Sequence, residues 1–230
     1  MFRLQPGDCS TDDIKFTTEK NGVKALYPSD GSCALNTLQI PGKPGVYEAL
    51  QFHLHTSSEH TIGGSFFGAE LHVVHRLRSA TETRFAVVGM IIRPVSPTTN
   101  PVFEPLLTNL DKYHGDVMKA CGGSASSGAS ADTAFDIYSL LDPNTGYYHY
   151  DGGLTTPPCS EIVWWNLADT TVNVSVMQFN RFVNLVVGAV DKETCELKTV
   201  ADPNTYSTSR PPVDLGDRIL HRVCPASSAQ

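Results

Sequence analysis

Short β-type runs punctuated by turn residues constrain this chain most. They fall at residues 34–40, 46–55, 66–77, 84–93, 146–150, 161–167 and 170–175, and Pro or Gly breaks nearly every gap. Two stretches depart from that rhythm. Residues 99–119 place Val102, Phe103, Leu106, Leu107 and Leu110 at helical spacing, and residues 176–187 read as a second helix with Ser175 as N-cap. The class is therefore mainly β with a few short surface helices. Residues 121–130 are rich in Gly and Ser and predict a flexible loop. The β-type runs on both sides favour an insertion over an interdomain linker. The tail at 225–230 is expected to fray.

At 230 residues the chain is one large domain, two at most, and buries a sizeable core without help from disulfides. The net charge is −7 with Lys and Arg scattered, so no nucleic-acid surface is expected. The longest apolar runs, such as 85–92, are too short to cross a bilayer. No signal peptide is read at Met1-Phe2-Arg3, which fits a mature fragment or an engineered start. Six cysteines stand at 9, 33, 121, 159, 195 and 224, none in a CxxC pair, which argues against a cysteine zinc site. Their even number and dispersed positions favour up to three disulfides and an extracytoplasmic setting (secreted, periplasmic or an organelle lumen) over free thiols in a cytosolic protein.

The chemistry concentrates in three histidines. Gln51, His53 and His55 alternate along one β-type run, and Glu70, His72 and Val74 alternate along the next. Side chains in a strand switch faces with a period of two, so each set lines one face. If the runs pair, three imidazoles converge on one point and leave one corner of a tetrahedron open, the arrangement of a catalytic zinc site. Gln51 and Glu70, each two positions before a histidine, are candidate acceptors for the ring N–H that a metal-bound histidine turns outward. His75 falls on the opposite face from His72. His60, at a turn, is read as a supporting or structural residue. His114, His149 and His221 are read as ordinary surface or packing residues. Downstream, Leu154-Thr155-Thr156-Pro157-Pro158 forms a stiff loop, because proline fixes φ and removes a donor. A threonine hydroxyl there accepts a hydrogen bond only if its own proton is committed, and Glu59 is the carboxylate expected to take it.

Taken together, Gln51–His55, Ser58–Thr61, Ala69–His75 and Leu154–Pro158 resemble the α-class carbonic anhydrases in order and spacing. The match extends over about residues 46–93 and 146–187, with a weaker echo in Ser209-Arg210-Pro211-Pro212 and Arg218. The short link after His55 is closer to bacterial and algal forms, and the marine-algal delta class is the close alternative. The resemblance implies one catalytic domain over 1–225 built on a large, twisted, mostly antiparallel sheet, with 121–132 a loop insertion and 226–230 a frayed tail. It implies zinc-dependent reversible hydration of CO2 to bicarbonate and a proton, by attack of zinc-bound hydroxide on CO2 in an apolar pocket.

By the same resemblance, His53, His55 and His72 hold Zn2+, with Gln51, Glu70 and His60 behind them. Thr155 orients the hydroxide, its amide receives the substrate oxygen, and Glu59 accepts its hydroxyl proton. Val74, Val87, Leu154, Thr156, Val163 and Trp165 form the pocket wall. Sulfonamide or anion inhibitors are expected at the metal, with no nucleic-acid partner and no membrane span. The sequence leaves the oligomeric state open.

The chain departs from the family pattern in places. It lacks the N-terminal aromatic segment and the Gln-Ser-Pro-Ile motif. Asn21-Gly22-Val23 resembles the family's Asn-Gly-His, with valine at the proton-shuttle position. Cys159 resembles the disulfide cysteine of secreted members, whose usual partner lies in the segment that is lacking. Three rival readings fit less well, one of them a zinc-buffering protein, in which Thr155 and the apolar wall would have no purpose. His53, His55 and Glu59 partly fit a cupin-type oxygenase, but the flanking glycines and second motif of that class are missing. A non-catalytic relative of the anhydrases typically loses a zinc histidine, and all three stand here.

Overall fold

The computed structural model describes residues 3–10, 13–123, 134–142 and 144–224. Most of the predicted 121–132 loop and the whole 226–230 tail lie outside the described residues. Among the described residues, eleven strands join one curled sheet: β1 Arg3–Gln5, β2 Lys15–Glu19, β3 Gly22–Leu26, β4 Thr37–Gln39, β5 Tyr47–Thr56, β6 Ala69–Leu77, β7 Phe85–Ser96, β8 Tyr147–Gly152, β9 Val163–Ala168, β10 Val172–Ser175 and β11 His221–Val223. The order is β1-β4-β5-β6-β7-β9-β8-β11, with the β2–β3 hairpin on β5 and β10 on β7. Most pairs are antiparallel; β7–β9 and β7–β10 are parallel.

Alternation along the three central strands sorts their side chains. Phe52 and Leu54 of β5, Leu71 and Val73 of β6, and Met90 and Ile92 of β7 face helices α1 Glu104–Ala120 and α2 Val176–Val187, where Leu106, Leu107, Phe182 and Val186 close the main core. Each such side chain contributes about 1.5–3 kcal/mol by leaving water. The opposite set (Gln51, His53 and His55; Glu70, His72 and Val74; Val87 and Gly89) faces the other way. β6 is buried at every position but Arg76, so its polar residues must find partners inside the protein.

The second helix matches its sequence signal. Ser175 caps it by accepting from Gln178 N, in a capping box with the Gln178 side chain. The first helix begins later than residue 99 because Asn100 accepts from the amides of Val102 and Phe103 in a local turn.

The cysteines form two disulfides, Cys9–Cys33 and Cys121–Cys195; Cys159 and Cys224 are free and exposed. Two bridges fall within the expected range of up to three. Cys121–Cys195 joins the end of α1 to the segment after α2, and the pair of bridges fits an oxidising environment. No helix among the described residues is long and apolar enough to cross a membrane.

Candidate metal centre

The β5–β6 register sets His53 directly opposite His72 and His55 opposite Glu70. Ring centroids lie 4.9 Å apart for His53–His55, 5.0 Å for His53–His72 and 4.9 Å for His55–His72, a nearly equilateral triangle. One nitrogen of each ring lies within 4.8 Å of the others. His55 and His72 are fully buried, and His53 is half-buried toward a cavity.

The outward nitrogens fix the tautomers. His53 Nδ1 meets Gln51 Oε1 at 2.9 Å and His72 Nε2 meets Glu70 Oε1 at 2.8 Å. Both partners are oxygens, so both ring nitrogens carry hydrogen. That turns His53 Nε2 and His72 Nδ1 toward each other at 3.2 Å, a separation at which one proton bridges them until a cation displaces it. Neither nitrogen of His55 has a partner. Burial pushes His53 well below the ordinary imidazole range and His55 down to about 4, so both rings are neutral near pH 7. Burial opposes the charged form of His72 too, but Glu70 outweighs it and holds the proton affinity of His72 above the usual value. Three buried imidazoles aimed at one point, two of them neutral and the third with a proton a cation can displace, fit a divalent cation of the zinc type with an open position.

Glu70 organises the surroundings. Its Oε2 accepts from the amides of Glu59 (2.9 Å) and His60 (2.8 Å), and its Oε1 from His60 Nδ1 (2.5 Å) as well as His72. Burial works against its charge, yet the neighbouring His60 and His72 and these hydrogen bonds hold its carboxyl well below the usual range. Because His60 Nδ1 donates to Glu70, its Nε2 accepts from Tyr150 OH at 2.7 Å. A Cβ at Gly89, opposite His72, would stand 3.1 Å from Glu70 Oε1, so glycine leaves the carboxylate its room.

Glu59 is almost wholly buried. Its Oε1 accepts from Arg210 N at 3.1 Å, and its Oε2 has no hydrogen-bond partner, lying 3.6 Å from His55 Nε2 and 3.9 Å from His72 Nδ1. Thr155 and Glu59 line the same cavity of about 490 Å³. The Thr155 loop is pinned by Leu154 N to Ser160 O (3.0 Å), Trp165 Nε1 to Gly153 O (3.1 Å) and Arg210 Nη1 to Leu154 O (3.2 Å).

A second cavity of about 150 Å³ opens beside His53 and His72, and all six predicted wall residues line it: Val74, Val87, Leu154, Thr156, Val163 and Trp165. Val74, Val87, Val163 and Trp165 also form a separate buried apolar cluster. Sequence reasoning missed its rim. Glu19 and Lys24 pair there at 2.6 Å, beside Asn21. The clue lay in the β2–β3 hairpin, whose Lys24 sits in register with His53. Val23, at the expected shuttle position, is buried in the main core. His75 is buried on the opposite side, bonded to Tyr138 OH at 2.6 Å.

Comparison with known proteins agrees with this geometry. A family model described as eukaryotic-type carbonic anhydrase matches residues 3–223. Human carbonic anhydrase 3 is 31% identical over 232 residues, covering 94% of this chain and 82% of the human protein. A carbonic anhydrase from Nostoc sp. is 30% identical over 154 residues, covering 64% of this chain but only 53% of the Nostoc protein, so the match spans about half that relative's length. Among solved structures, a Chlamydomonas reinhardtii carbonic anhydrase in complex with acetazolamide superposes with a TM-score of 0.63 at 24% identity, over 96% of this chain and 81% of the other. A match that runs from the first described strand to the last, over a sheet that gathers three imidazoles, shows that the chain belongs to the eukaryotic-type carbonic anhydrase family.

Proposed function

We propose that this chain catalyses the zinc-dependent, reversible hydration of CO2 to hydrogencarbonate and a proton. The observation that carries this reading is the convergence of three imidazoles, with His53 Nε2 and His72 Nδ1 turned toward each other at 3.2 Å beside the unpartnered nitrogens of His55 and against an apolar wall. His53, His55 and His72 would hold the ion, and Gln51 and Glu70 keep His53 and His72 in the tautomer that ligation needs. Zinc held by three neutral nitrogens supplies a Lewis acid that makes water acidic enough to react near neutral pH.

The remaining roles belong to the chain. Val74, Val87, Leu154, Val163 and Trp165 offer uncharged CO2 a dry surface, with Thr156 at its edge. Thr155 would orient the nucleophile: its hydroxyl makes no hydrogen bond to Glu59 in this structure, but Glu59 Oε2 is buried with its acceptor capacity unused, and once it takes the Thr155 proton the hydroxyl oxygen is restricted to accepting. The Thr155 amide receives the developing negative charge on the substrate oxygen. His60 and Tyr150 keep Glu70 in place.

We further propose that residues 1–225 act as one catalytic domain in a secreted, periplasmic or organelle-lumen setting, and that sulfonamides such as acetazolamide bind at the metal. Stopped-flow CO2 hydration on purified protein, before and after chelation and with zinc measured on the same sample, tests the function. Activity that follows zinc content supports it; full zinc occupancy without hydration overturns it.

A further inference from the structure

Thr56 ends β5, one residue after His55, and it holds a distant stretch of chain against the metal centre. Its amide donates to Thr208 Oγ1 at 3.1 Å, its carbonyl accepts from Thr208 N at 3.0 Å, and its hydroxyl donates to Tyr206 O. Thr208 is buried there. Two residues on, Arg210 precedes Pro211, and a residue before proline is kept extended. The strand end and the proline together fix where the Arg210 amide and side chain point.

Arg210 then makes two contacts that belong to different halves of the site. Its amide donates to Glu59 Oε1 at 3.1 Å, and its guanidinium donates through Nη1 to Leu154 O at 3.2 Å. With Oε1 engaged, the Glu59 carboxylate cannot turn freely, and Oε2 stays buried without a hydrogen-bond partner, 3.6 Å from His55 Nε2. The second contact acts through the peptide plane. Leu154 C=O and Thr155 N–H share one trans peptide unit, in which the two bonds point in opposite directions. A donor fixed on Leu154 O therefore aims the Thr155 N–H away from Arg210 and polarises it. The bond is charge-assisted, because arginine stays protonated. Among the described residues the Thr155 amide has no acceptor, so it is available to a substrate oxygen.

We infer that Arg210 is a positioning residue for CO2 hydration: its amide sets the Glu59 carboxylate, and its guanidinium, through Leu154 O, aims the Thr155 N–H at the reacting oxygen. One residue thereby places both groups that Thr155 needs, its proton acceptor and its own peptide plane. The inference rests on the proposed hydration reaction for its effect on rate, and on peptide geometry alone for its spectroscopic signature.

The test combines stopped-flow CO2 hydration with NMR on the full zinc-loaded chain, labelled with 13C-carbonyl leucine and 15N-threonine. Leucine precedes threonine only at 107–108 and 154–155, so a carbonyl-to-amide spectrum holds two peaks, and the one inside α1 serves as reference. Arg210→Met keeps the amide contact to Glu59 and the length of the side chain but removes the donor to Leu154 O. It is expected to move the 154–155 peak, leave the 107–108 peak in place, and lower kcat/KM about tenfold at parental zinc content. Arg210→Lys, which still brings a charged donor, is expected to recover most of both effects. If the methionine variant does not fold, Arg210→Gln, whose shorter side chain brings no charge, takes its place with the same shift expected. An unmoved 154–155 peak overturns the inference, as does a rate loss that lysine does not reduce. A parent with full zinc and no hydration refutes the hydration reading instead, and the 154–155 peak then decides alone whether Arg210 aims Thr155.

Discussion

His75 ties acid stability to one buried ring. Its Nδ1 donates to Ala86 O at 3.2 Å and its Nε2 accepts from Tyr138 OH at 2.6 Å, so the folded protein holds it neutral. Burial pushes its pKa from 6.5 down to about 4. The folded state therefore resists a proton that the unfolded chain accepts below about pH 6.5. Stability is full above that pH and falls as acid is added, until the folded ring also protonates near pH 4. From the two pKa values, the loss between pH 7 and pH 5 is about 2 kcal/mol, rising to about 3 kcal/mol by pH 4. His75→Gln keeps a donor and an acceptor but removes the titration. Urea unfolding of both proteins at pH 7 and pH 5 isolates the effect, because all other groups cancel. The variant should lose about 2 kcal/mol less than the parent over that interval. An equal loss in the two proteins would show that His75 is not a neutral buried ring.

Other expectations concern the metal centre and the bridges. Thr155→Ala should leave zinc content unchanged and lower the hydration rate by about a hundredfold, read by stopped flow; parental kinetics at full occupancy would remove Thr155 from the chemistry. Gly89→Ala brings a methyl 3.1 Å from Glu70 Oε1, an oxygen held by two histidines, and should weaken zinc retention by about tenfold in a competition assay with a chelator. Unaltered retention would mean that Glu70 has slack the hydrogen bonds do not suggest. Cys195→Ser opens a bridge spanning 74 residues of sequence, and chain entropy alone predicts a loss of up to about 4.5 kcal/mol in urea unfolding. A loss under about 1 kcal/mol would imply that the segment after α2 is held by packing instead.

Sequence periodicity located the triad because period-two alternation in β5 and β6 is rigid. Once Phe52, Leu54, Leu71 and Val73 are committed to the core, the histidines between them have one direction left. Ser175 and Gln178 announced α2 for a similar reason, since a capping box is a local hydrogen-bond pattern. The β2–β3 hairpin was missed because its Lys and Thr content looks solvated, while its half-buried positions are paid attention only once β5 provides an edge. Which cysteines pair was not legible: Cys121 and Cys195 meet only after α1 and α2 pack side by side. His149, read as an ordinary surface or packing residue, is a buried packing residue bonded to Asn166 across the β8–β9 ladder. The expected acceptance of the Thr155 proton by Glu59 rests on chemistry, with both residues on one cavity and Oε2 free to accept.

Crystals of zinc-loaded protein measured at the zinc absorption edge address the central claim most directly. The account predicts one anomalous peak among the three imidazoles, with His53 Nε2, His72 Nδ1 and one His55 nitrogen about 2.0–2.1 Å away and no protein atom in the fourth position. A peak elsewhere, or one capped by the Glu59 carboxylate, would contradict it.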